Sequence, residues 1–386
     1  MLNKNLTLQN VRETNRRNII RSLISSDFDM RRDELASENG ISIMTVKKII
    51  AEFLACGVVE EEEVSSSVGR RPKVLKIAEK YGVIACVSLT SREFFSYQII
   101  DFSRNVLEKR QLVLQEQYSY RENLRKMQEA LKEDLEKTGL LCIGICLSVP
   151  SAYYEDVDLV NYDLIPEFKN LHLKSIFQQY FGLDNVSVVH DVFAMAQAEY
   201  DRLTEFNGSL FYFYIGYGVG GACINAGSWQ NGHDLVAGEI GQVILEEDGA
   251  EKTLESVISI PGMLSRIFES CGEKMTFYEA VLRYKNGDAD VVKVIDNTAL
   301  QIARMVYNIS WIINPAHIVV GGIYQDFIKI IVEACNRYNK RMNKLSIRNS
   351  VQVHCAAAED GEMEGCYDIV MEQWIDWVIH SIPEVD

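Results

Sequence analysis

Residues 7–77 hold the pattern that most restricts this chain: helical segments broken at one glycine, then two strands around a basic turn. In the first segment, 7–24, Val11, Ile19, Ile20 and Leu23 fall at helical spacing, and polar Ser25-Ser26-Asp27 ends it. The second, 31–39, carries Leu35 and Ala36 and stops at Gly40, which can adopt the left-handed conformation that closes a helix. Ser42 then caps a third segment running to Gly57, with Val46, Ile49, Ile50, Phe53 and Leu54 on one face. Two short helices meeting at a glycine turn make a helix-turn-helix. Past Gly57 the chain passes Val58, Val59 and Val64 and crosses Ser65-Ser66-Ser67-Val68-Gly69-Arg70-Arg71-Pro72. It resumes at Val74, Leu75 and Ile77, the pattern of a hairpin with a basic tip.

A helix-turn-helix followed by such a wing puts the start of its second helix in the major groove and the wing's cations against the backbone or minor groove. Ile43, Met44, Thr45, Lys47 and Lys48 are therefore the candidate base readers, with Arg70, Arg71 and Lys73 as wing contacts. The competing reading is a helical hairpin that only packs. The rigid basic tip Gly69-Arg70-Arg71-Pro72 favours DNA, because such a turn has little structural use.

Charge is consistent with this once its distribution is considered. The whole chain carries a net charge of -16, which by itself argues against a phosphate-rich partner. Residues 1–80, however, hold 14 Lys and Arg against 12 Asp and Glu, and the remainder 25 against 43. Four of the early acids are clustered at Glu60–Glu63. The rest of the segment is then basic through Arg16, Arg17, Arg21, Arg31, Arg32, Lys47, Lys48, Arg70, Arg71 and Lys73.

With 386 residues the chain suits a small module plus a larger one, since domains run to roughly 100–200 residues. The expected division is 1–78 for the winged helix and 79–386 for a two-lobed remainder. No apolar run approaches the roughly 20 residues of a membrane span, and the polar start 1–18 lacks a signal-peptide core, so the cytoplasm is expected. Nine cysteines without a CxxC pair fit that compartment and argue for neither a disulfide framework nor a metal site.

From Tyr81 onward strand and helix patterns alternate: strands at 83–88 and 94–101, a helix at 119–137, a strand at 140–148 and a helix at 173–180. A strand at 186–189, a helix at 192–203 and a strand at 210–216 follow, then a helix at 299–313 and a strand at 318–320. This is the layout of an α/β fold. Gly321-Gly322, right after the last strand, would let backbone approach a ligand closely.

Several motifs then occur in order: Asn15-Arg16-Arg17, the wing Gly69–Pro72, His190-Asp191 and Gly216-Tyr217-Gly218-Val219-Gly220-Gly221. Gly238-Glu239-Ile240-Gly241, Asn314-Pro315 and Ile318-Val319-Val320-Gly321-Gly322 complete the series. In that order, behind a winged helix, the chain resembles the ROK family of repressors, open reading frames and kinases. The resemblance implies a two-lobed actin-like ATPase and sugar-kinase fold with a ligand cleft between the lobes.

Departures from the family pattern separate repressor from kinase. Family kinases place Asp-x-Gly-Gly-Thr after the opening strand, so that backbone amides meet phosphate and the acid helps hold a metal. The matching stretch here is Ser88-Leu89-Thr90-Ser91-Arg92. In the second loop Tyr217 replaces the usual Thr, and Ile323 stands where a last adenosine-side glycine is expected. The structural zinc usual in the family needs about four N or S ligands. Here Gln242 replaces its His, and 246–255 has no cysteine, so no metal and no cofactor are expected. The sugar residues survive better: Asp191, Glu239 and Glu255 match family carboxylates, and His190 replaces an Asn beside them. Carboxylates suit the task because each accepts hydrogen bonds from neighbouring hydroxyls. Asp191 would also suit a helix N-cap, and Glu239 and Glu255 a solvated surface.

The resemblance thus implies a sugar-binding set of His190, Asp191, Glu239, Gln242 and Glu255, no catalytic residues, and a sugar-responsive repressor of carbohydrate-utilisation genes. The alternative is a ROK-type sugar kinase with an appended DNA-binding domain. Expected partners are operator DNA, a sugar effector and further copies of the chain as a homodimer or homotetramer, with no membrane.

Overall fold

The structure, a computed structural model, describes residues 8–25, 30–63, 73–78, 81–161, 165–203, 208–247, 249–342 and 351–381. The first elements are α1 (Leu8–Ser25), α2 (Arg32–Glu38), α3 (Ile43–Ala55), β1 (Val59–Glu63) and β2 (Lys73–Ile77). Next come β3 (Tyr81–Ser88), β4 (Phe94–Asp101), β5 (Val106–Val113), α4 (Tyr120–Thr138), β6 (Leu141–Val149), β7 (Tyr153–Tyr154) and β8 (Leu159–Val160). Then follow α5 (Leu173–Phe181), β9 (Val186–His190), α6 (Asp191–Leu203), β10 (Ser209–Ile215), β11 (Val219–Asn225) and β12 (Ser228–Trp229). The last are β13 (Ile244–Glu247), β14 (Ala250–Thr253), α7 (Leu254–Ile258), α8 (Ile260–Cys271), α9 (Phe277–Lys285), α10 (Ala289–Ile312), β15 (His317–Gly322), α11 (Gln325–Met342), β16 (Val353–Cys355) and α12 (Gly361–Ser381).

These elements form two compact units, one of residues 1–150, 155–189 and 366–386, the other of 151–154 and 190–365. In the first, α1, α2 and α3 close around Ile19, Ile20, Leu35, Val46, Ile49, Ile50 and Phe53, all buried. Gly40 makes the turn between α2 and α3 with φ +63, a conformation costly for any residue with a Cβ. Ser42 caps α3 by accepting the Thr45 N–H at 3.1 Å. β1 and β2 pair antiparallel from Val59↔Ile77 to Glu63↔Lys73, and Met30 adds a bridge to Leu75. The same unit contains a sheet in the order β5-β4-β3-β6-β9, and α4 packs on β4 and β5.

The second unit is a sheet in the order β12-β11-β10-β15-β16, with β10, β15 and β16 mutually parallel. Helix α6 covers β10 and β11, and α11 packs on β15 and β16. A large apolar core runs from Phe211, Phe213 and Ile215 of β10 through Ile302 and Val306 of α10 to Phe327 and Ile331 of α11. Gly321 and Gly322 are the end of β15 itself, and the packing around them leaves no room for a Cβ. A Cβ on Gly321 would lie 1.8 Å from the Tyr212 Oη, and one on Gly322 2.1 Å from the Ile215 carbonyl oxygen. Among the described residues no helix is long and apolar enough to cross a membrane.

Candidate functional site

On the winged helix, the outward stripe of α3 holds Ile43, Met44, Lys47 and Lys48, all exposed, while Thr45 is half-buried with its Oγ1 2.8 Å from the Ser42 Oγ. Among the described residues neither Lys47 nor Lys48 takes part in an ion pair. The other cations of this module are differently placed. Arg16 is buried and donates from Nε to Glu52 Oε2 at 2.9 Å, and Arg12 pairs with the same carboxylate. Arg17 pairs with Glu372, at 3.1 Å, and with Asp376 of α12, while Arg21 donates twice to Glu372, at 3.0 and 2.6 Å. Arg32 and Lys73 both hold Glu61, the latter at 2.8 Å. Much of the basic content of residues 1–80 is therefore paired within the chain, with acids of α3, β1 and α12, the last more than 350 residues away in sequence. Arg70 and Arg71 lie outside the described residues.

The candidate ligand residues all belong to the second unit. Asp191 is the first residue of α6, and its Oδ1 accepts the Val192 N–H at 2.7 Å. That donor is the next residue in the chain, not the residue two or three further on that an N-cap side chain engages. Burial pushes the Asp191 carboxyl up to about 7, and the negative charge of Glu239 adds to the rise. The His190 Nε2 lies 3.3 Å from Asp191 Oδ1. Burial holds its imidazole below the usual histidine value, against the pull of Glu239, so the ring is neutral at pH 7.

Glu239 is positioned by its flanking glycines. Gly238 has φ +103, and a Cβ there would lie 2.0 Å from the Gly221 carbonyl oxygen; a Cβ on Gly241 would lie 2.5 Å from the Val219 carbonyl oxygen. Both glycines thus press the Gly238–Gly241 turn onto β11, and Glu239 sits exposed on that turn. Glu255, in the first turn of α7, accepts the Val219 N–H at 2.9 Å, which braces the turn Gly216-Tyr217-Gly218 between β10 and β11. Gln242 ends the short 3-10 turn after Glu239 and is exposed. The geometry brings His190, Asp191 and Glu239 into one electrostatic group, sets Glu255 against the glycine turn, and leaves Gln242 without a side-chain hydrogen bond among the described residues.

Tyr214, which the sequence reading passed over, belongs to the same neighbourhood. Burial raises its phenol, and the charge of Asp191 adds to this. The aromatic run Tyr212-Phe213-Tyr214 on a strand leading into a glycine turn was the available signal. Around the other candidate loop, in the first unit, Leu89 is fully buried and its N–H is given to the Ser148 carbonyl at 2.9 Å. Ser88 and Thr90 share a hydroxyl contact of 2.9 Å.

A family model described as the ROK family matches residues 92–371. The chain belongs to the ROK family. A xylose repressor of Staphylococcus xylosus is 23% identical over 354 residues, covering 88% of this chain and 87% of its own. The kanosamine kinase of Amycolatopsis mediterranei is 23% identical over 209 residues, covering 53% of this chain and 68% of its own. In structure, a ROK family transcriptional regulator, a homologue of the E. coli Mlc protein, superposes with a TM-score of 0.77 at 18% identity, covering 96% of this chain and 99% of its own. The ROK hexokinase of Thermus thermophilus gives 0.61 at 16% identity, covering 74% and 96%. The fold is thus shared by ROK regulators and ROK kinases alike.

Proposed function

We propose that this ROK protein is a sugar-responsive transcriptional repressor without kinase activity. The observation that carries the reading is the outward face of α3, where Met44, Lys47 and Lys48 stand exposed on a capped helix behind a glycine turn. A repressor of xylose utilisation that shares most of its length with this chain supports it. The wing residues Arg70 and Arg71 add phosphate contacts in this reading, whereas Lys73 is held by Glu61 at 2.8 Å; a pair of copies reads a pseudo-palindromic operator, because one winged helix buries little surface for specificity.

The effector is an uncharged monosaccharide. His190 is a neutral donor and acceptor, Asp191 titrates near neutrality, and Glu239 accepts, which together match hydroxyls that both give and take hydrogen bonds. A sugar phosphate would meet the carboxylates of Asp191, Glu239 and Glu255 without a cation among these residues to offset them. Thr90 and Ser91 stand where the family's kinases hold glycines against phosphate, which supports a reading without phosphoryl transfer.

A thermal-shift screen of neutral monosaccharides tests the ligand assignment. A sugar at 100 times its Kd should stabilise the native state by about 2.7 kcal/mol. The same sugars with ATP and magnesium should yield no sugar phosphate; turnover on any of them would return the chain to the kinases.

A further inference from the structure

Ile43 and Met44 are 44% and 69% exposed in the first turn of α3, beside the exposed Lys47 and Lys48. A single exposed apolar side chain needs no explanation. Two adjacent ones, at the point where a helix-turn-helix meets base edges, are chemically selective. Donor and acceptor atoms on guanine, cytosine and adenine edges would lose water to an Ile or Met side chain that offers no hydrogen bond in return, which is unfavourable. The major groove presents one apolar group, the 5-methyl of thymine. The hydroxyls nearby do not compensate, because Ser42 is occupied by the Thr45 N–H and the Thr45 Oγ1 lies 2.8 Å from the Ser42 Oγ. Lys47 and Lys48, three to five positions further on and on the same stripe, supply charge that complements phosphate.

We propose that Ile43 and Met44 read thymine 5-methyl groups, so that each operator half-site carries thymine beneath the first turn of α3. The proposal rests on the assignment of the winged helix to operator DNA and adds to it the base that these two side chains select. Met44, the more exposed of the two, is the principal contact.

The probe is a duplex enriched from a randomised pool by the full-length protein. Each thymine of one half-site is replaced in turn by deoxyuridine, which removes only the methyl group. One or two positions should weaken binding about fourfold each, equal to about 0.8 kcal/mol for one buried carbon at 1.4 kcal/mol per tenfold. Met44→Ala should weaken binding to the thymine duplex and erase the difference between thymine and deoxyuridine at one of those positions. Met44 contributes nothing to the buried face of α3, so the variant folds as the parent does. Binding that changes at no thymine by an amount approaching the expected value of about fourfold, or a Met44→Ala protein that keeps the full difference, would overturn the proposal. Failure to enrich any duplex would instead remove the DNA assignment on which it stands.

Discussion

Replacing Glu52 with alanine should unfold the winged helix locally while the rest of the chain stays native. Glu52 is 1% exposed on the inner side of α3, and Arg16, 5% exposed on α1, donates to it at 2.9 Å with a second nitrogen 2.7 Å away. Taking away the carboxylate leaves the Arg16 guanidinium buried with a single contact of 3.4 Å to the Ile379 carbonyl. Breaking a buried pair by removing one partner costs about 3–5 kcal/mol, because the remaining charge keeps its desolvation penalty and loses its compensation. Arg12 also loses this ion pair, but it is 25% exposed and can be solvated, so it adds little. That penalty is a large share of the stability of a module this small. A chain of two units need not melt in one step, so the readout is hydrogen exchange of the α1 and α3 amides, supported by operator affinity. The paired change Arg16→Met with Glu52→Leu removes both charges and should recover most of the loss, since well-packed apolar replacements of buried ion pairs are often neutral. A Glu52→Ala protein with protection within about 1 kcal/mol of the parent, or a double variant as exposed as the single one, would refute this reasoning.

Three further outcomes follow from the same structure. Asp191 holds its proton up to about pH 7 in the native state but only to its ordinary value of 3.8 when unfolded. Its contribution to stability is therefore complete below about pH 4 and lost as pH rises through 7; Asp191→Asn should flatten that part of a denaturation profile. Gly238→Ala should destabilise the second unit by at least about 3 kcal/mol through backbone strain and collision with the Gly221 carbonyl; a melting temperature unchanged from the parent would contradict this. Arg71→Ala should lower the magnitude of the slope of log K against log salt by about 1, whereas Arg17→Ala should leave it unchanged because Arg17 is paired with α12; equal slopes for the two variants would refute that division.

Much of this was readable before any coordinates. The three helices and the hairpin of residues 8–77 follow from apolar spacing, Gly40 and the Ser42 cap, and the α/β alternation follows from apolar runs of strand length. The strand β11 was hidden because it opens Val219-Gly220-Gly221, and glycine is a poor strand former whose use here is to admit Val192 and Phe211 side chains. Helix α12 was missed for the opposite reason: Cys366, Tyr367, Val370, Met371, Trp374, Ile375, Val378 and Ile379 are all buried, so its sequence shows no single apolar stripe. Its role in taking up Arg17 and Arg21 could not be seen either, since those partners are over 350 residues apart. That is why several of the basic residues counted from composition proved to be paired with acids of the same chain. At the candidate site, motif order pointed to Asp191, Glu239 and Glu255, but the bracing of the glycine turn by Glu255 and the nearness of Tyr214 to Asp191 depend on the packed sheet.

Operator affinity measured with and without the monosaccharide found by the stability screen, for the parent and for Asp191→Ala, tests the central claim most directly. Sugar can act on DNA binding only through a difference in its affinity for two states of the protein, and couplings of about 1–3 kcal/mol correspond to roughly 5 to 150-fold. The parent should show a change in that range. Asp191→Ala should bind the operator as the sugar-free parent does and show no response to sugar. A variant that keeps the full response, or a parent that shows none, would contradict the account.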